Sequence, residues 1–184
     1  GRLIICLDVS GSMNDKCEPK VRKIQAAIHA VIESLGVVAR SHPNHEVALV
    51  IFNGRPKVLC DFENIESGYQ QLINSVQSMR ADGGTNIPRV LAAAQKMLQH
   101  KSGAEKNTLL LMTDGHGGDG TAVAEDIKRM GVIIKVIGFG AHPSDVNETM
   151  LKRVASTTEA GCLYEFATDQ KSLTVTAVDF TQVI

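Results

Sequence analysis

Tryptophan is absent from this chain and aromatic residues make up only 4% of it. Charge of one sign is lacking as well, because 19 Lys and Arg stand against 20 Asp and Glu. No basic stripe runs along any segment, so nucleic acid is excluded as the main partner. No apolar run approaches the roughly 18 residues of a membrane span, so no membrane insertion is expected. Internal repeats and low-complexity tracts are missing, and Gly1-Arg2-Leu3 leads straight into an apolar run, so any signal peptide of the parent protein is out of sight. Cysteine is scarce, with four residues in 184. A chain of this length buries roughly 70% of its unfolded surface, so its core needs neither disulfides nor oligomerisation. The expectation is one monomeric domain over residues 1–184, cut from a longer protein.

What the chain does have is a regular alternation of short apolar runs with helical stripes. Leu3–Leu7, Val47–Phe52, Thr108–Met112, Val132–Ile137 and Cys162–Phe166 read as strands, four of them buried on both faces and therefore parallel. A helix opening near Pro19 carries Val21, Ile24, Ala27, Ile28, Val31, Ile32 and Leu35 on one face. Another carries Ile87, Val90, Leu91, Ala94 and Leu98, with Pro88 in its first turn where the missing N–H does little harm. Shorter stripes follow at Val123, Ile127 and Met130 and at Met150, Leu151 and Val154. Leu173, Ala177 and Phe180 have helical spacing within a β-branched segment that leaves the choice open. Phe52-Asn53-Gly54-Arg55 is a tight turn joining Val47–Phe52 to Pro56–Asp61, a hairpin signal that puts one antiparallel strand at the sheet edge.

The chemistry concentrates at the ends of the apolar runs. Asp8-Val9-Ser10-Gly11-Ser12 follows the first, Asp114 follows Thr108–Met112, and Thr85 precedes the Pro88 helix. Open α/β folds place their sites at the carboxyl ends of the strands. Three hydroxyls and two carboxylates are oxygen donors of the kind that magnesium and manganese favour.

Together, Asp8-Val9-Ser10-Gly11-Ser12, Asp82-Gly83-Gly84-Thr85-Asn86 and Leu111-Met112-Thr113-Asp114-Gly115 resemble the complete metal-ion-dependent adhesion site of a von Willebrand factor type A domain, in the same order along the chain. The resemblance implies a doubly wound, Rossmann-like fold: a mostly parallel six-stranded sheet with one antiparallel edge strand and helices on both faces. It implies that Ser10, Ser12 and Thr85 coordinate Mg2+ or Mn2+, with Ca2+ the alternative, while Asp8 and Asp114 act directly or through water. An inner shell rich in neutral hydroxyls leaves such an ion electrophilic, so it favours an Asp or Glu from a protein partner. The rim around the ion is expected to comprise Met13, Asn14, Lys16, Arg80, Asp82, Asn86 and His116.

Each residue also has a plainer reading. Asp-x-Ser after a strand and Thr85 before Pro88 can serve as helix caps. Gly115-His116-Gly117-Gly118-Asp119-Gly120 matches G-x-G-x-x-G between a strand and a helix, which keeps open a nucleotide- or metal-dependent enzyme. The acidic residue about 20 positions on that would hold a ribose is missing, however. Asp8-Val9-Ser10 lacks the second carboxylate of an Asp-x-Asp phosphatase. His42 and His45 are spaced like a zinc pair with nothing to complete a tetrahedral set. The nearby candidates for a general base are His116, Asp82 and Asp119, all on loops that read as mobile, so the function expected is binding rather than turnover.

Cys6 and Cys162 fall in apolar runs, where free Cys behaves as a small hydrophobe, whereas Cys17 and Cys60 occupy loop or edge positions that could pair. The first pair points to a reduced, intracellular protein. The glycosylation triplet Asn147-Glu148-Thr149 points the other way.

Overall fold

A computed structural model describes residues 1–101 and 106–182. The first apolar run forms β1 (Arg2–Asp8), and beyond it a short ribbon of β2 (Lys16–Glu18) and β3 (Val21–Arg22) precedes α1 (Lys23–Ser41). Next come β4 (Glu46–Phe52), β5 (Pro56–Asn64), α2 (Ile65–Gln77), α3 (Ile87–Gln99) and β6 (Asn107–Thr113). The chain continues through α4 (Thr121–Arg129), β7 (Val132–Phe139) and α5 (Glu148–Val154). It closes with β8 (Thr157–Thr158), β9 (Gly161–Cys162), β10 (Tyr164–Ala167) and α6 (Gln170–Gln182).

Six of these strands make one sheet in the order β10-β7-β6-β1-β4-β5, parallel except for β5, which returns antiparallel along β4 at the edge. Successive side chains of a strand point to opposite faces. Leu3, Ile5, Leu7, Leu49 and Leu110 therefore pack under α1, α2 and α6, while Ile4, Cys6, Val50, Leu109 and Leu111 pack under α3, α4 and α5. A sheet covered on both sides explains why its central runs are apolar without alternation. The strand order also fixes where a site can form. From β1 the chain winds outward to β4 on one side and later returns to β6 on the other, so the carboxyl ends of β1 and β6 flank the point where the winding reverses. Loops diverge there and leave a crevice.

Several local expectations are corrected. The first helix begins at Lys23 rather than near Pro19, and Val21 lies in the ribbon, because Pro19 and Lys20 (φ 70°) make a turn between β2 and β3. Cys162–Phe166 is not one strand: Gly161–Cys162 pairs antiparallel with Thr157–Thr158, and the sheet strand starts at Tyr164. Cys162 is consequently exposed rather than packed as a hydrophobe. Met130 is 38% exposed at the cap of α4, not on its buried stripe. The helix α2 escaped the periodicity reading altogether, although Ile65, Leu72, Ile73 and Val76 line its buried face. The C-terminal segment is helical, with Leu173, Ala177 and Thr181 buried. Its neighbour Lys135 lies 3% exposed in β7 and donates to the Phe180 carbonyl at 2.7 Å, and burial pulls its pKa down.

Leu109 and Leu110 are neighbours in sequence with 0% and 1% exposure on opposite faces. Each Leu→Ala change is expected to lower stability by about 2–5 kcal/mol in urea unfolding, whereas Val58→Ala on the open edge strand shifts it by less than about 0.5 kcal/mol. A cheap leucine on either face would mean that face is not covered. All four cysteines are free, Cys60 facing the Ser75 hydroxyl at 3.1 Å. Thiol titration of the unfolded chain without reductant is therefore expected to count four, and a count of two would reverse the reduced-compartment reading.

Candidate functional site

The last residue of β1, Asp8, is fully buried and its carboxylate accepts three donors. Oδ1 takes the Ser10 N–H at 2.8 Å, and Oδ2 takes the Thr113 hydroxyl at 2.8 Å and the Asp114 N–H at 3.4 Å. Strand β6 ends beside it, so the Thr113 hydroxyl fastens the two strand ends together. Asp114, 4% exposed, comes next. Its Oδ1 accepts from the Ser10 hydroxyl at 3.3 Å, and the Ser10 and Ser12 hydroxyls lie 3.1 Å apart. Burial first, and the neighbouring Asp114 carboxylate second, push the Asp8 pKa up to about 6, outweighing the bonds from Ser10 and Thr113. Two carboxylates held together in a dry place favour a proton or a cation between them.

Three further loops are tied to this cluster by backbone bonds. Gly11 donates to the Gly83 carbonyl and Asp82 to the Val9 carbonyl, both at 2.8 Å, which clamps the Asp82–Asn86 loop to the Ser10 loop. Asn86 donates to Asn53 and Ile87 to Gly117, again at 2.8 Å, bringing in the hairpin turn and the glycine loop. Thr85 belongs to the loop so clamped, and its methyl carbon lies close to where a Cβ on Gly117 would stand.

The capping roles that the sequence left open for these hydroxyls fall elsewhere. The α3 cap is Asn86, whose side chain accepts the Arg89 N–H at 3.0 Å, not Thr85. Ser10 precedes the 3-10 turn Gly11–Asn14 without making a side-chain cap bond. These hydroxyl oxygens thus stay available, Ser10 buried and Ser12 exposed at the mouth. Among the described residues no group of three or more His, Cys, Asp or Glu side chains converges. The donor set is instead two carboxylates plus hydroxyls, and its hard oxygens suit Mg2+, Mn2+ or Ca2+.

The expected rim divides. Met13 is corrected: at 2% exposure it is part of the core beneath α1, because the Gly11–Asn14 turn folds it inward. Asn14 is exposed and gives its amide to the Ala81 carbonyl, and Asn86 is spent on its cap. The Arg80 guanidinium bends back onto the Ser78 and Met79 carbonyls. Lys16 and Asp82 are exposed, and His116, also exposed, contacts the Ser144 carbonyl. The residue that sequence reasoning missed is Lys23, whose ammonium reaches Oδ2 of Asp114 at 3.3 Å. No sequence signal pointed to it, because the start of α1 at Lys23 emerges only in the structure.

The glycine loop is shaped by packing. A Cβ on Gly117 would stand 2.6 Å from the Thr85 methyl carbon, and one on Gly120 2.7 Å from Leu91 Cδ1. Beside the loop lies a cavity of about 260 Å³ lined by His116, Asp119, Asn147 and Arg153 among others. Asp119 accepts both the N–H and the hydroxyl of Thr121, and those bonds hold its carboxyl below the ordinary range.

Taken together, the doubly wound sheet and the oxygen cluster at its switch point define an open α/β domain of the Rossmann-like class with a polar site on its carboxyl edge. Residues 3–178 match the von Willebrand factor type A domain, and the chain belongs to that family of protein-interaction and adhesion modules. It is similar to calcium-activated chloride channel regulator 1 of Bos taurus, 30% identical over 155 residues that cover 80% of this chain and 16% of that protein. The chain thus spans about one sixth of that curated relative's length. Among solved structures, the PilB minor pilin from Streptococcus sanguinis superposes with a TM-score of 0.83 at 16% identity, over 99% of this chain and 60% of that one. The von Willebrand factor type A protein from Catenulispora acidiphila gives 0.80 at 21% identity, over 98% and 41%. At such identities these likenesses speak for the fold.

If Gly117 is needed to let Thr85 approach, Gly117→Ala should destabilise by about 1–3 kcal/mol. Gly115→Ala, where an added Cβ meets nothing within 4 Å, should stay within about 0.5 kcal/mol. Urea unfolding of the two variants separates them, and equal effects would contradict the packing account.

Proposed function

We propose that this domain is a divalent-metal-dependent protein-binding module. Asp8, Ser10, Ser12, Thr85 and Asp114 hold Mg2+ or Mn2+, with Ca2+ the alternative, and an Asp or Glu of a protein partner completes the coordination. The observation that carries the reading is that these hydroxyls are not used as helix caps: Ser10 and Thr85 stand where caps are expected and neither caps, while Ser10 donates to Asp114 and lies against the Ser12 hydroxyl. The carboxylates favour capture of a cation. Their sum with Lys23 is a single negative charge, from −2 and +1, so a dication bound there keeps positive charge for an anionic ligand.

Binding rather than turnover is supported by the nearby bases. Asp119, on the glycine loop, is held by Thr121 as a weak base. A general base needs a free lone pair and a pKa near the working pH. The family's character as interaction modules agrees.

Calorimetric titration with MgCl2 and MnCl2 is expected to show one site, lost in folded Asp8→Ala and Asp114→Ala proteins and weakened in Thr85→Ala. At a hundredfold excess over Kd the ion should stabilise the domain by about 2.7 kcal/mol, and chelator should reverse this. Undiminished binding in both Asp variants would show that the ion sits elsewhere.

A further inference from the structure

Lys23 opens α1, where the helix macrodipole repels a cation. Its side chain is nonetheless only 12% exposed, and it pairs with Asp114, whose side chain is 0% exposed. Drawing a lysine this far from water sacrifices rotamer freedom and hydration, so a surface ion pair of the ordinary kind does not account for it. The geometry around Asp114 divides its carboxylate between two tasks. Oδ1 faces the serine hydroxyls and accepts from Ser10 at 3.3 Å, while Oδ2 faces the ammonium at 3.3 Å. The start of α1 is itself fixed, because the Lys23 N–H donates to the Asp15 carbonyl at 2.9 Å. Asp145, a further carboxylate in electrostatic reach of Lys23, is bound by the Ala141 and His142 N–H groups.

We propose that Lys23 is a positioning and charge-setting residue of the cation site, holding Oδ2 of Asp114 away from the hydroxyl cluster and cancelling one of the two carboxylate charges there. The inference rests on the metal-binding reading of the same site. Its consequence is a deliberately weak site for the ion alone. With Lys23 present, a dication meets one net negative charge, binds loosely, and stays electrophilic toward an external carboxylate. Without Lys23 the same oxygens would bind the ion more tightly and satisfy it more fully. Lys23 thus biases the module toward joint binding of metal and anion, in which each ligand strengthens the other.

The test uses Mg2+ and Mn2+ alone, titrated into the parent domain and into Lys23→Met and Lys23→Arg at fixed pH. Lys23→Met is expected to bind both ions on the order of tenfold more tightly, and Lys23→Arg should return to within about threefold of the parent because the charge is kept. Mg2+ should also raise the Tm of Lys23→Met by more than that of the parent, since the metal-free variant leaves the buried Asp114 unpaired. Should Lys23→Met fail to fold, Lys23→Gln keeps an N–H for Oδ2 while dropping the charge. Unchanged or weaker ion binding in the folded neutral variant overturns the role given to Lys23 while leaving the metal site standing. No ion binding to parent and variants alike overturns the metal reading, and this inference with it.

Discussion

Burying Asp8 and Asp114 side by side is unfavourable, and the arrangement of the carboxyl edge follows from making it tolerable. Asp8 accepts from Ser10, Thr113 and Asp114, the last two of which belong to the neighbouring strand end. Those bonds lower its pKa and burial and Asp114 raise it, with the raising side prevailing. The sign matters for the free domain. A carboxyl whose folded pKa is raised stabilises the fold at pH values below its unfolded one and loses that contribution as pH rises through about 6. At neutral pH the ionised Asp8 therefore costs the fold stability, a cost that a cation held there as proposed would offset.

The sheet supplies the place for this carboxylate pair and the loops supply its containment. At the winding reversal, β1 and β6 are adjacent and parallel, so Asp8 and Asp114 can face one crevice from neighbouring strand ends. The ring of backbone bonds from Val9 and Gly11 to Asp82 and Gly83, and from Asn86 and Ile87 to Asn53 and Gly117, then fixes four loops relative to one another. Under the proposed metal reading, a site with few anionic ligands would depend on such preorganisation, because the ion itself would contribute less to pulling the loops together.

The sheet and most helices were legible in the sequence because both signals are periodic. Leu3–Leu7 and Thr108–Met112 could only be buried strands, and Ile87, Val90, Leu91 and Ala94 could only be one face of a helix. The hairpin turn at Asn53-Gly54 announced the antiparallel edge. What escaped were features set by tertiary context. The helix α2 was missed although Ile65, Leu72, Ile73 and Val76 have helical spacing and Asn64 caps it, because it follows the edge strand directly with no loop to mark its start. The displaced start of α1 follows from a ribbon of two and three residues, too short for any period. Met13 looked like a loop residue by sequence position, but the turn aims it into the core. Of the candidate site, the oxygen donors could be listed from their motifs, whereas Lys23 could not, since its role depends on a contact across 91 positions of chain.

The loop ring has a consequence for how such a domain diversifies. Most of its closing bonds are made by backbone groups, which every residue but proline can supply, and they ask little of the side chains at the mouth. Lys16, Asp82 and His116 project from a frame that holds its shape largely independently of them. Substitution at such positions can rewrite what the module touches while the chemistry beneath is inherited unchanged. The same division suggests a practical graft: new recognition can be selected on those outward positions in a library that keeps the inner oxygens and the frame constant.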